Sequence, residues 1–222
     1  AWHLMIIPNK FPAVVYKEIK GLKKKVGPYS VIPGLGYHDL LITRDHDRNF
    51  AKLSKAEANL VLRYFQNRYL MFLPQKNLSY VAIFHNWGAK AGASVYHPHY
   101  QIVAIPVVPP DVEHSLYGAK EYFRKHKKCV HCEMIAWEQK QKKRVIFENK
   151  GAIAFAPFAS SSPFEIRVFP KKHLPFFEDT SREDLSYAAL ALQTSLKKIE
   201  KALKEPDYNF FLHTAPLKNK RQ

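Results

Sequence analysis

The chain holds only two cysteines in 222 residues, Cys129 and Cys132. Two such residues cannot make the disulfide framework of a small secreted domain, and a reducing, cytoplasmic setting fits them best. No run of about 18 apolar residues occurs, so no membrane-spanning helix is expected. The opening AWHLMIIPNK lacks the basic stretch and small-residue cleavage site of a signal peptide. It also lacks an initiator methionine, so residues are expected to precede Ala1. Acidic residues are scarce: 19 Asp and Glu stand against 35 Lys and Arg, a net charge of +16. That imbalance favours anionic partners such as nucleotides and sugar phosphates. Nucleic acid is not the expected partner, because the lysines fall in short runs (Lys23–Lys25, Lys127–Lys128, Lys140–Lys143) with no basic stripe interleaved with aromatics. An apolar content of 46% argues against disorder, and the length suits one large domain or two small ones.

The groups suited to chemistry concentrate between His85 and Gln101, H-N-W-G-A-K-A-G-A-S-V-Y-H-P-H-Y-Q. Ser79–Phe84 before it reads as a buried strand, and Ile102–Ile105 after it is a second apolar run. Gly88 and Gly92 let a backbone approach a ligand closely, and N–H groups on such a turn suit phosphate oxygens. If Tyr96–Ile105 is a strand, His97, His99 and Gln101 share one face. Pro98 lacks a donor, which places it on an edge strand or at a strand end. A neutral imidazole can attack phosphorus or bind a metal, and a neighbouring carboxamide can donate to a phosphate oxygen as charge builds. The bland alternative is a pair of satisfied histidines beside a Gly-rich turn.

The motif N-x-G-x-x-x-G-x-S followed by H-P-H-x-Q resembles the active-site signature of galactose-1-phosphate uridylyltransferases, the branch of the histidine-triad superfamily in which Gln replaces the last histidine. Further similarity lies in I-P-N-K-F-P-A (7–13), D-H-D (45–47), P-F-A-S-S-S-P-F-E (157–165) and Y-N-F-F-L-H-T-A-P (208–216). Tyr100 departs from the family, where a small residue is expected. The resemblance implies that His99 is the nucleophile. Gln101 would stabilise the transferring phosphoryl group. Asn86, Gly88, Gly92, Ala93 and Ser94 would cradle the phosphates, and Asn9 and Phe11 would lie beside the ribose and base. It further implies a homodimer.

Along the chain, Leu4–Ile7 is a short strand, Lys20–Gly36 a loop, and Gly36–Thr43 a strand. Ser54-x-x-Glu57 is a capping box opening a helix to about Leu73, with Leu60, Val61, Tyr64, Phe65 and Phe72 on its apolar face. Asp111–Lys128 is expected to be helical. The second half then repeats the first. Phe164–Phe169 leads to His173 as Asp39–Thr43 leads to His46. Thr180-x-x-Glu183 opens a helix to about Leu203, and Asp207–Leu212 follows as a strand. His46 to Tyr80 is 34 positions and His173 to Tyr208 is 35; Tyr80 to His85 and Tyr208 to His213 are both five. The expected fold is therefore α+β, with duplicated histidine-triad-like halves at 1–110 and 111–222, each an antiparallel sheet with a long helix. The counterpart of His97 would fall near position 225, so the second half is expected to be truncated at its C-terminus.

Cys129-x-x-Cys132 suits tetrahedral zinc, with His173 as third ligand and the fourth near position 225. By the duplication, His97 and His46 would be the equivalent ligands of the first half. The resemblance supports such zinc sites, whose filled coordination shell would be structural. Free thiols or a redox pair are the alternatives. His3, His38, His114 and His126 show no partner spacing and read as surface or core residues. The expected activity moves UMP between UDP-glucose and a hexose 1-phosphate (galactose-1-phosphate) through a nucleotidyl-histidine. The rivals are an ADP-sugar or dinucleotide phosphorylase of the same superfamily, and a nucleotide-binding regulatory module without turnover.

Overall fold

The computed structural model describes residues 2–17 and 24–217. Its elements run β1 (Leu4–Pro8), β2 (Lys24–Val26), β3 (Tyr29–Val31), β4 (Tyr37–Thr43), α1 (Lys55–Phe72), β5 (Tyr80–Trp87), β6 (His99–Ile105), α2 (Pro110–His126), α3 (Val130–Gln141), β7 (Val145–Glu148), β8 (Ala152–Phe155), β9 (Arg167–Pro170), α4 (Arg182–Leu203) and β10 (Tyr208–Leu212). The class is mixed α+β with antiparallel sheets. One sheet has the order β1-β4-β6-β5-β10 and a second the order β7-β8-β9. None of the helices is long and apolar enough to cross a membrane among the described residues.

The capping box forms as read. Ser54 Oγ accepts from the Glu57 N–H, and the Glu57 carboxylate accepts from the Ser54 N–H. Two orphan donors at the helix start are thereby satisfied. The buried residues of α1, Ala58, Val61, Leu62, Phe65, Tyr69 and Phe72, recur at three- and four-residue steps and face the first sheet. Leu60 and Tyr64 only flank that stripe. α4 lies beside α1 and contributes Leu185, Ala189 and Leu196 to the same core. These two helices cover one face of the five-stranded sheet, where Leu41, Val81, Ile83, Tyr100, Ile102 and Ala104 are fully buried or nearly so.

Pleating sends alternate side chains to the other face. The register there sets Asn209 opposite Asn86 and Ile42 opposite His99, and the His85–Tyr100 pair between β5 and β6, one residue short of both, brings Asn86 toward His99. One row along, Phe211, Phe84, Gln101 and Leu40 stand side by side. β10 arrives from more than 120 positions away in the chain and pairs antiparallel with β5, with Tyr208 opposite Trp87.

Four local expectations shift. The span 20–36 contains the exposed hairpin β2–β3, turned by Gly27 at φ +59°; residues 18–23 lie outside the described residues. The expected strand Phe164–Phe169 shrinks to Arg167–Pro170, because Phe164 adopts φ +59° and the Glu165 carboxylate folds back onto the Ser161 N–H and hydroxyl. α4 is capped by Ser181, one residue later than read, since the Thr180 N–H already closes the preceding turn onto Phe177. β6 begins at His99 rather than Tyr96, with Pro98 just outside it.

Candidate functional site

β6 runs between β4 and β5 and places His99 and Gln101 on the open face. His99 is only 6% exposed. Its Nδ1 lies 2.9 Å from the carbonyl of His97, so Nδ1–H donates there and the lone pair sits on Nε2. The next strand secures the same stretch of backbone: His85 Nδ1–H donates to the His99 carbonyl at 2.6 Å. His85 is fully buried against Tyr100 and Phe210. That burial pushes its pKa down to about 4, so the ring is neutral near pH 7. Tyr100 points to the helix-covered face, packed edge-on against Phe50 and Phe65, so the residue that departs from the family does not enter the open side.

Gln101 meets a residue that its sequence spacing did not mark. Its Oε1 lies 3.0 Å from His38 Nε2. His38 Nδ1 accepts from the Ala13 N–H at 3.0 Å, which leaves Nε2 as the ring's donor; the Asn9 amide nitrogen, itself a donor, lies 3.2 Å from that Nε2 and so offers it no acceptor. Asn9 Oδ1 accepts from the Phe11 N–H at 3.0 Å, while the Phe11 ring is 81% exposed. The segment around Asn9 thus reaches Gln101 through His38, by the Asn9 N–H on the His38 carbonyl and the Ala13 N–H on its ring, and Phe11 projects from the same turn.

The turn after β5 is held from β10. Gly88 has φ +86°, and a Cβ there would fall 2.1 Å from the Asp207 carboxylate carbon, so only glycine fits. Asp207 accepts from the Lys90 N–H at 2.6 Å. Asn209 donates to Asn86 Oδ1 and to the Ala91 carbonyl, both at 2.7 Å. Gly92 adopts the left-handed conformation that ends this turn. A cleft of about 450 Å³ opens beside it, with Trp87, Gly88, Ala93, Ser94, Lys52 and Asp207 in its walls. Asp207 and Asn209 were missed because only the β5–β10 register brings them here. Their sequence signal was slight: Asn209 lies within Y-N-F-F and Asp207 directly precedes it.

His97 turns away from the other two and lies at the sheet end. Its Nε2–H donates to the Thr43 carbonyl at 2.7 Å, and its Nδ1 faces His46 Nδ1 at 3.0 Å. His46 sits in a turn built by Asp45, which accepts from the N–H groups of Asp47 and Arg48. Arg48 ties that turn to α1 through Glu57, and its guanidinium holds the Glu57 carboxyl down at about 2. Two imidazole nitrogens about 3.3 Å apart can share one tetrahedral ion, and a ligating histidine usually donates its other N–H to an oxygen.

Cys129, Cys132 and His173 form a second cluster whose ligand atoms all lie within 4.8 Å of one another. Cys129 caps α3 and Cys132 lies in its first turn, where the helix dipole favours thiolate. His173 follows β9 and brings Nδ1 to 3.3 Å from Cys132 Sγ, against about 3.5 Å expected across a shared zinc ion. Burial and the adjacent Cys129 push the Cys132 thiol up, and a bound cation would relieve that penalty. The donor set therefore fits a thiophilic metal.

Residues 31–192 match a family described as a domain of unknown function, DUF4921. The chain is 36% identical to the ADP-glucose phosphorylase of Arabidopsis thaliana, over 98% of this chain and 61% of that protein, so it spans less than two thirds of that relative's length. The crystal structure of an Arabidopsis thaliana ADP-glucose phosphorylase with bound ADP-glucose superposes with a TM-score of 0.85 at 32% identity, covering 98% of this chain and 67% of that one. The galactose-1-phosphate uridylyltransferase of Thermotoga maritima is 24% identical over 97% of this chain and 68% of that protein. A uridylyltransferase structure superposes with a TM-score of 0.90 at 30% identity, covering 97% of this chain and 68% of that one.

Proposed function

The chain belongs to the family of galactose-1-phosphate uridylyltransferases and their ADP-glucose phosphorylase relatives, and on that premise we propose that it transfers a nucleotidyl group from a nucleotide sugar through a covalent nucleotidyl-His99. The observation that carries this reading is the tautomer of His99. With Nδ1–H held by the His97 carbonyl, the Nε2 lone pair is available for attack on the α-phosphorus. The new bond is Nε2–P. The bond broken joins the α-phosphorus to the oxygen bridging the β-phosphate, and a sugar 1-phosphate leaves. An oxygen of the acceptor then attacks the same phosphorus, the Nε2–P bond breaks, and neutral His99 is restored. Gln101 donates to a non-bridging oxygen as charge develops, and the Gly88–Gly92 turn with Asn86, Ala93 and Ser94 cradles the phosphates. Asn9 and Phe11 flank the nucleoside.

Two donor–acceptor pairs are consistent with this chemistry. The likeness to an ADP-glucose phosphorylase over nearly the whole chain favours ADP-glucose, with inorganic phosphate as acceptor. The uridylyltransferase likeness favours UDP-glucose, with galactose-1-phosphate as acceptor. We rank the first ahead of the second. In the same reading, zinc held by Cys129, Cys132 and His173 would cross-link α3 to the segment after β9 and supply no reacting group. His46 and His97 would be two ligands of another such ion. The halves 1–110 and 111–222 and a homodimer belong to this reading too.

The test is intact-mass analysis after separate incubation with ADP-glucose and UDP-glucose, with His99→Ala as control. An AMP adduct lost in the variant supports the phosphorylase reading, and a UMP adduct alone supports the uridylyltransferase. Folded, metal-loaded protein that takes up neither would sink covalent transfer from these donors and favour a binding module.

A further inference from the structure

His38 is 9% exposed and belongs to none of the motifs that carry the family resemblance. Its ring is nonetheless read on both sides. The Ala13 N–H can only donate, so the Nδ1 it meets at 3.0 Å must be the acceptor. A neutral imidazole has one N–H, and it is therefore on Nε2. That N–H points at Gln101 Oε1, 3.0 Å away. Asn9 presents an amide N–H₂ to the same region, because its Oδ1 is taken by Phe11, so Gln101 supplies the one carbonyl oxygen able to accept from His38 among the described residues.

The consequence concerns the far end of the Gln101 side chain. A carboxamide can be turned by 180° about its last bond, exchanging a donor for an acceptor. An oxygen turned toward a phosphoryl group repels it, whereas an N–H₂ stabilises it. No hydrogen bond from Gln101 Nε2 to the protein occurs among the described residues. We infer that His38 is a positioning residue: its Nε2–H captures the Gln101 oxygen and leaves the Gln101 N–H₂ facing the transferring phosphoryl group. The inference rests on the nucleotidyl-transfer reading above. It also gives I-P-N-K-F-P-A a physical task. The Asn9 N–H donates to the His38 carbonyl at 2.8 Å, and the Ala13 N–H sets the ring's tautomer, so this segment fixes His38 from two points.

The experiment is a double-mutant cycle on the single-turnover rate of nucleotidylation. His38→Leu should slow the step by about 10- to 100-fold with little change in KM, within the about 100- to 1000-fold loss expected for Gln101→Ala. In the Gln101→Ala background the same substitution should change the rate by less than about twofold, because a residue acting only through Gln101 has nothing left to orient. His38→Gln keeps an N–H near the Nε2 position and should recover most of the loss. Equal losses in both backgrounds, or no loss in the wild-type background, overturn the inference. Nitrogen NMR of the wild-type imidazole supplies a readout that does not depend on the variants folding. A His38 protonated on Nε2 alone is expected at pH 7.5, and a proton on Nδ1 overturns the inference. A wild-type protein that forms no adduct sinks both this inference and the nucleotidyl-transfer reading, whereas an active wild type with additive losses sinks the role of His38 alone.

Discussion

The two faces of β6 share one backbone and do opposite work. His99 and Gln101 stand on the open face with His38, Asn9 and Asn86, each side chain oriented by at least one hydrogen-bond partner. Tyr100, Ile102 and Ala104 stand on the covered face against α1 and α4, and each is fully buried. The alternation of one strand is thus enough to separate the proposed chemistry from cohesion. A further contrast lies in how the two faces handle polar atoms. On the open face, backbone carbonyls and amides fix each tautomer. On the covered face, the Tyr100 hydroxyl and His85 Nε2 have no hydrogen-bond partner among the described residues. The open face spends polar groups on orientation; the covered face tolerates them for the aromatic surface they bring.

The separation breaks most visibly on the open face. His99→Ala should lower turnover by more than 100-fold while the thermal midpoint falls far less than in a core truncation, since the ring makes one side-chain hydrogen bond among the described residues and lies on the face away from the helices. Residual activity above a hundredth of wild type would remove His99 from the nucleophile's role. Gln101→Ala should slow nucleotidyl transfer by about 100- to 1000-fold in a protein that melts normally. Stopped-flow or quenched-flow measurement of adduct formation separates that loss from slower product release.

On the covered face the effect should invert. Tyr100→Ala removes a ring packed against Phe50, Phe65, His85 and Phe210, and should cost about 3–5 kcal/mol of stability, measured by denaturant unfolding. The rate of the folded fraction should fall far less than in His99→Ala. A variant that melts like wild type but has lost turnover would show that the two faces are not separable.

His85 makes the covered face sensitive to pH. Its folded pKa is about 4, against about 6.5 in an unfolded chain. Between those values the unfolded chain binds a proton that the folded one refuses. Stability therefore falls as pH drops from about 6.5 to 4, by about 3 kcal/mol in all, and this contribution is flat below pH 4. Burial is the leading cause, so the dependence should vanish in His85→Phe once the loss of its hydrogen bond to His99 is subtracted as a pH-independent offset. Unfolding free energies at pH 7 and pH 4.5 for both proteins give the difference, and equal slopes would show that His85 titrates normally.

What could be read in advance follows the same division between near and far. The capping box at Ser54, the apolar stripe of α1, the parity of His99 and Gln101, and the Cys129–Cys132 pair are patterns within a few residues, set by helix and strand periods. The grouping of His173 with the cysteines was also legible, because the internal repeat sets His173 where His46 stands in the first half and the family resemblance makes that histidine a ligand. His38, Asp207 and Asn209 were not legible as site residues. Their place depends on which strands pair and in what register, and hydrogen bonds between strands far apart in sequence leave no local trace. Phe164 misled for another reason. F-E-I-R-V-F has strand composition, yet Glu165 bonds locally to Ser161 and the chain turns there instead of pairing.

The smallest effect tests the covered face most finely. Tyr100→Phe deletes one oxygen from a residue with no solvent exposure and, among the described residues, no hydrogen bond to its hydroxyl. Keeping an unpaired hydroxyl buried costs about 1–3 kcal/mol, and Phe preserves the ring contacts with Phe50, Phe65 and Phe210. The gain is offset by the small void left where the oxygen was and by lost dispersion. The expected result is a rise in unfolding free energy of up to about 1 kcal/mol, with the nucleotidylation rate unchanged, because the ring stays on the face away from His99. Loss of more than about 1 kcal/mol would mean that the hydroxyl is paired in solution. A changed rate would carry a different message: that the packing beneath β6 sets the pitch of His99, and that one strand does not keep its two faces apart.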